Sequence, residues 1–308
     1  MFYLKEKIYS SSCYIILLAL FLISCNPDKN NQETNITGQN SNSNFSNDNI
    51  ITHRLEFPHL RGGNNIILTH KLSDGEVNYS VEWDGDKKSN RWTCYQQYAS
   101  NRAIRTHRWR GEPQYPSDPL LPTSMSFTED LYWYTGYDHG HLCPSADRLS
   151  SSEANRQTFY LTNMQPQAKK FNGSDPKGGI WLTMENKMRA SLNIYSNDTM
   201  FICRGGTIDN ESQIKERLRG GLIVPGYFFS TAILKYYNYH YKKWEYKPIA
   251  FWFKHEDNQD SSLAPYIVSI DELEKLTGID FFCNLPDNIE KQVEAVSKEN
   301  IIKLWNIK

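Results

Sequence analysis

The chain has 308 residues, with 34 Lys and Arg against 35 Asp and Glu, a formal net charge of −1 and 13% aromatic side chains. That length holds one large domain or two small ones, and the aromatic content suffices for a sizeable core. The even charge balance excludes a globally basic nucleic-acid binder and a polyacidic chain, so any attraction to phosphate has to be local.

The first 25 residues read as a targeting segment. Lys5 and Lys7 form a short positive region, and 14–23 is an apolar run of signal-peptide length, too short to span a bilayer. It ends in Leu22-Ile23-Ser24-Cys25, which resembles a bacterial lipoprotein box. The expectation is cleavage before Cys25, lipid on its thiol, and export to the cell envelope, with the outer membrane as the expected anchor. An ordinary signal peptide or a short membrane anchor is the alternative. Residues 26–55 are rich in Asn and Ser with little apolar surface, and are expected to form a disordered tether. Residues 56–308 show no linker and no internal repeat, which predicts one folded domain.

Within that domain, 65–72 and 77–83 read as strands joined by Ser73-Asp74-Gly75, and 91–98 as a third. A short helix is expected over 151–157 and a strand over 159–164. Trp181, Met184 or Glu185, Met188 and Leu192 recur at helical spacing, which predicts a helix over 179–192. Buried strands are expected at 199–203, 226–236 and 247–254, rich in Phe, Ile, Trp and Tyr. Ser269-Ile270-Asp271-Glu272 opens a last helix as a capping box. Together these give an α+β fold, a central, mainly antiparallel sheet flanked by helices. Cys94, Cys143, Cys203 and Cys283 can form up to two disulfides in an oxidising compartment, and Cys203 with Cys283 would tie a middle strand to the C-terminal segment.

Residues 137–148 carry the chemistry: Tyr-Asp-His-Gly-His-Leu-Cys-Pro-Ser-Ala-Asp-Arg. Histidine suits proton transfer near neutral pH, and Gly140 lets the backbone approach a neighbour closely. On a strand, His139 and His141 share a face. Cys143 would join them if the strand continued, a zinc corner without an evident fourth ligand; two packed histidines without chemistry are the plainer reading. A basic run from Lys87 to Gly111 contains Arg91, Arg102, Arg105, Arg108 and Arg110 and no acid, interleaved with Trp92, Tyr95, Tyr98 and Trp109. Such a run suits phosphate contacts and base stacking, or a solvated basic face.

Asp138, Gly140, His141, Leu142 and Ala146 together resemble the signature of the DNA/RNA non-specific endonucleases, which have the ββα-metal fold. The second half of the signature is similar to Asn163-Met164-Gln165-Pro166-Gln167, Phe171-Asn172-Gly173 and Trp181 with Glu185 and Arg189. The closing segment 276–286 is also typical, so the resemblance covers most of 60–290. It implies His141 as general base and Asn172 as the ligand of one Mg²⁺ (or Mn²⁺), with Asn163 as the alternative ligand. It further implies that Glu185 orders the water around the ion, that Arg189 and Arg108 bind phosphate, with Arg105 or Arg110 as alternatives to Arg108, and that Asn163 lies beside the active centre at the substrate. Asp138 would orient the motif. The family usually has Arg where this chain has His139, which would assist phosphate binding when protonated. Five residues, 174–178, are inserted before the helix. The implied activity is hydrolysis of DNA and RNA leaving 5′-phosphate ends; the alternatives are a non-catalytic nucleic-acid-binding surface lipoprotein on the same fold and a phosphodiesterase for small nucleotides.

Overall fold

Alternating apolar and polar residues from Asn65 onward build a seven-stranded sheet in which every neighbouring pair is antiparallel. The structure, a computed structural model, describes residues 40–193 and 195–307. Its strands are β1 (Asn65–Lys71), β2 (Val77–Asp84), β3 (Ser89–Gln97), β4 (Asp138–His141), β5 (Met164–Gln167), β6 (Thr199–Gly206), β7 (Ile214–Arg217), β8 (Ile223–Pro225), β9 (Tyr227–Asn238), β10 (Lys243–Lys254) and β11 (Ile267–Val268). The large sheet runs β1-β2-β3-β6-β9-β10-β11, while β4-β5 and β7-β8 are separate two-stranded ribbons. The helices are α1 (Ser152–Gln157), α2 (Lys169–Asn172), α3 (Ile180–Ser191), α4 (Ile270–Thr277), α5 (Asp287–Glu294) and α6 (Lys298–Trp305).

The period-two alternation of the strands divides the core in two. Tyr95, Phe228 and Phe251 pack with Trp181, Met184 and Met188 of α3 and with Ile301 and Trp305 of α6. Their neighbours Cys94, Phe229 and Ala250 face the other way, onto Ile270 and Leu273 of α4 and Val293 of α5. Helices therefore cover both faces of the sheet, as the α+β expectation had it. Ser269 caps α4 by accepting from Glu272 N, and Ser151 caps α1 by accepting from Ala154 N.

Several expectations need correction. The tether was expected to reach residue 55, yet 40–55 is ordered against the C-terminal part. Asn40 Nδ2 donates to Cys283 O (2.9 Å) and Leu285 O (2.7 Å), and the buried Asn44 donates to Pro58 O (2.9 Å). Asn284 returns the pattern to Thr52 O (2.8 Å) and Arg54 O (2.9 Å). Composition weighs apolar burial only; here side-chain amides order the arm by completing backbone hydrogen bonds. The targeting segment with Cys25, and 26–39, lie outside the described residues. The strand expected over 159–164 starts at Met164, because Leu161–Asn163 forms a 3₁₀ turn. Cys94, Cys143, Cys203 and Cys283 are all free and buried, and Cys203 faces Cys94 across β6 and β3 rather than Cys283. Among the described residues no helix is long and apolar enough to cross a membrane.

Candidate active site

The site is assembled where the β4-β5 ribbon meets α2 and α3. β4 pairs with β5 in the register Asp138↔Gln167, Gly140↔Gln165, His141↔Met164. A Cβ on Gly140 would lie 2.3 Å from Gln167 Cδ, so any larger residue would have to displace the buried Gln167 side chain from this position. A Cβ on Gly179 would lie 2.3 Å from Lys170 O and 2.5 Å from Phe171 O; glycine there lets α3 start directly against α2. Gly173 ends α2 in the left-handed region (φ 96°). His255 fixes the start of α2: its Nε2 accepts from Ala168 N (2.8 Å), and its Nδ1 donates to Pro225 O (2.7 Å).

These elements enclose a cavity of about 800 Å³ lined by Arg108, Asp138, His139, His141, Asn172, Glu185 and Arg189. His141 is buried, and its Nε2 has no hydrogen-bond partner. Burial, and then the nearby charge of Arg108, hold its pKa well below 6.5, while a bond to the His139 backbone opposes them. With Nε2 unpartnered, that bond falls to Nδ1, so the neutral ring offers a lone pair on Nε2. Asn172 Nδ2 donates to Asp138 Oδ2 (3.0 Å), and Ser174 Oγ donates to the same oxygen. With its NH₂ engaged, Asn172 has Oδ1 left to offer a ligand.

Glu185 and Arg189 occupy one turn of α3 and face the cavity. Arg189 Nη1 donates to Asp147 Oδ1 (2.9 Å), and Arg189 Nη2 lies 3.6 Å from Glu185 Oε2. Behind Glu185 stands the fully buried Arg204, Nη1 3.7 Å from Glu185 Oε1. Arg204 Nε donates to Ser230 Oγ (3.1 Å), but its two Nη atoms have no hydrogen-bond partner. Burial lifts Glu185 to about 7, and the charges of Arg204 and Arg189 restrain the rise. Arg108 lies with its guanidinium carbon 4.7 Å from the centre of the Phe159 ring.

A family model for DNA/RNA non-specific endonucleases matches residues 63–288. The chain belongs to this family. It is 26% identical over 225 residues to a nuclease of Nostoc sp., covering 70% of this chain and 75% of that one. It is 24% identical over 221 residues to the mitochondrial nuclease EXOG of Xenopus laevis, covering 68% and 58%. The chain thus spans less than two thirds of the length of that mitochondrial relative. Among solved structures, a chain of the EndoG/EndoGI complex, described as showing the mechanism of EndoG inhibition, matches with a TM-score of 0.58 at 17% identity, covering 74% of this chain and 91% of that one. This likeness shows the fold, the ββα-metal nuclease arrangement.

For this endonuclease-family chain, the structure brings His141, Asp138, Asn172, Glu185, Arg189 and Arg108 to one cavity and separates others from it. Asn163 is a correction: expected at the substrate or as an alternative ligand, it is fully buried and does not line the cavity. Its Oδ1 accepts from Cys143 N (2.9 Å), and its Nδ2 donates to Cys143 O (2.9 Å) and Thr158 O (2.8 Å). It clips the end of β4 to the turn before β5. His139 reaches the cavity wall, but its Nε2 is 2.8 Å from Asp130 Oδ2, and its ring stacks between Tyr115 (3.6 Å, 3°) and Tyr132 (4.5 Å, 18°). That packing makes it a brace for the backbone that holds His141, with Nε2 engaged by Asp130. Cys143 sits in the core, so no zinc corner forms.

The basic run is also divided. Arg91 and Lys87 pair with Asp209 (2.7 and 2.9 Å), and Arg102 donates to Arg189 O (2.6 Å). Arg108 is the member of the run that lines the cavity. Trp92 and Tyr95 are buried in the two cores and unavailable for stacking. The aromatic rings exposed at the cavity are Trp133 and Tyr134 instead. Sequence reading missed Arg204, Asp130 and Tyr115. A charge inside the apolar run Met200-Phe201-Ile202-Cys203-Arg204 was the available signal for the first; the other two lie in loops without a pattern.

Proposed function

We propose that the domain is a divalent-metal-dependent, sequence-non-specific endonuclease that hydrolyses phosphodiester bonds of DNA and RNA and leaves 5′-phosphate ends. The observation that carries this reading is a buried imidazole with a free Nε2 in the same cavity as an oriented amide oxygen on Asn172. A single neutral oxygen donor in a roomy cavity with charged side chains in its lining fits Mg²⁺ or Mn²⁺, which keep most of their water shell. When bound, the ion supplies positive charge for the phosphate and the leaving 3′-oxygen.

The chain's own residues do the rest. Neutral His141 takes a proton from the attacking water at Nε2. Asp138 holds the Asn172 amide in one orientation. Arg189, aimed by Asp147, and Arg108 meet the negative charge that grows on phosphorus-bound oxygen. Guanidinium donors of this kind suit backbone phosphate, a contact that carries no sequence information, which supports action without sequence preference.

His141→Ala is expected to lower cleavage of plasmid DNA and of RNA by roughly 10²–10⁴-fold while the protein stays folded. Activity that survives this change and still responds to chelator removes His141 as base. Incubation with DNA and Mg²⁺, with and without EDTA, separates this reading from a non-catalytic binder, which would retain DNA uncut. For residues 1–25 the lipoprotein reading is part of the same proposal, supported by Lys5, Lys7 and the box ending at Cys25. Fatty-acid labelling that persists in Cys25→Ser would remove it.

A further inference from the structure

The face of the sheet opposite α3 carries a second concentration of charge. Asp280, Glu290 and Glu294 each bring one carboxylate oxygen to within 4.8 Å of the others, and Asp271, Glu274 and the same Glu294 form a second such group. Two oxygens bound to one ion at about 2.3–2.6 Å can be no more than about 5 Å apart, so this spacing suits shared coordination. None of the five is in an ion pair among the described residues. Glu294 is more than nine-tenths buried and common to both groups, and its Oε1 has no hydrogen-bond partner. The neighbouring Asn42 donates through Nδ2 to Asp280 Oδ2 and Glu290 Oε1 (3.0 Å each), and its own Oδ1 is buried without a partner. Burial and mutual repulsion push Glu294 up to about 10 and Glu290 and Glu274 to about 7. Such a cluster is relieved by a cation.

We propose that Asp280, Glu290 and Glu294, with Asn42 beside them, bind one structural Ca²⁺, separate from the nuclease cavity. The donors are all oxygen, which selects a hard cation. Carboxylates on a loop and a helix, with an amide on the N-terminal arm, make an adaptable shell, which suits Ca²⁺ better than the strict octahedron of Mg²⁺. The ion would staple the arm at Asn42, the turn after α4 and the helix α5, and none of these residues lines the cavity. The proposal therefore stands or falls independently of the catalytic reading.

The test uses the purified full chain, stripped with chelator. Adding about 10 mM Ca²⁺ should raise the melting temperature by about 5 °C, and more than equal Mg²⁺ does. Asn172→Ala, which removes the expected catalytic ligand, should keep the shift. Glu294→Gln and Glu290→Gln should each lose it, while the chelated Glu294→Gln protein melts no lower than chelated wild type, because a repelling charge is gone. A wild-type melting temperature that Ca²⁺ leaves unmoved overturns the proposal, as does a shift that survives both Gln substitutions. Should one Gln variant fail to fold, calorimetric titration of Ca²⁺ into the other decides: heat of binding equal to wild type also overturns it.

Discussion

At the scale of single residues, the site rests on groups whose ionisation is set by burial. His141 stays neutral well below pH 6.5, because burial and the charge of Arg108 both oppose its protonation. Its availability as a base therefore cannot set the pH dependence near neutrality. Glu185, lifted to about 7, changes charge there. We expect kcat/KM of the wild type to change through about pH 7, and Glu185→Gln to show a flat profile over the same range. A limb at about 7 that persists in the variant assigns that titration elsewhere. Asn172 is oriented by one bond to Asp138. Asp138→Asn can turn the wrong end of either amide toward the ion, and should raise the metal concentration needed for half-maximal activity roughly tenfold, with little change in stability.

At the scale of elements, the short ribbon β4-β5 carries the base, and its geometry depends on Asn163. Removing that amide leaves the N–H and C=O of Cys143 and the C=O of Thr158 without partners in a dry interior. Asn163→Ala should cost about 3 kcal/mol in urea unfolding. Its KM for DNA should stay near wild type under native conditions; a KM rise without loss of stability would return Asn163 to the substrate. α3 is placed by contact of backbones, since Gly179 allows its first turn to meet the carbonyls at the end of α2. Gly179→Ala forces those backbones apart and should destabilise by about 1–3 kcal/mol, read from the same unfolding curves. It should also lower activity, because Asn172 and Glu185 sit on the two helices that move.

At the scale of the whole molecule, acid should loosen the structure through its buried histidines. His255 is held at about 4 by burial, against an ordinary value of 6.5, while it joins β8 to the start of α2. A depressed folded-state value means that this stability is present above about pH 6.5 and is lost as pH falls through about 4. The loss is on the order of 3 kcal/mol, and His255→Asn should show a flatter dependence of urea midpoint on pH than wild type. Six strands of the large sheet, all but the two-residue β11, the α3 stripe and the identity of the His141 motif were legible in the sequence, because they are local patterns with periods of two and 3.6 or a contiguous chemical run. By itself the sequence also determined the family and the residue types of the site. Only the tertiary structure decided which cations of the basic run reach the cavity, that Asn163 is a clip, that His139 is braced by Asp130 between two tyrosines, and that Arg204 stands behind Glu185. Each of those roles depends on how separate segments fold together, some only 5 to 20 residues apart, and hydrogen-bonding capacity in a sequence does not say which partner will use it.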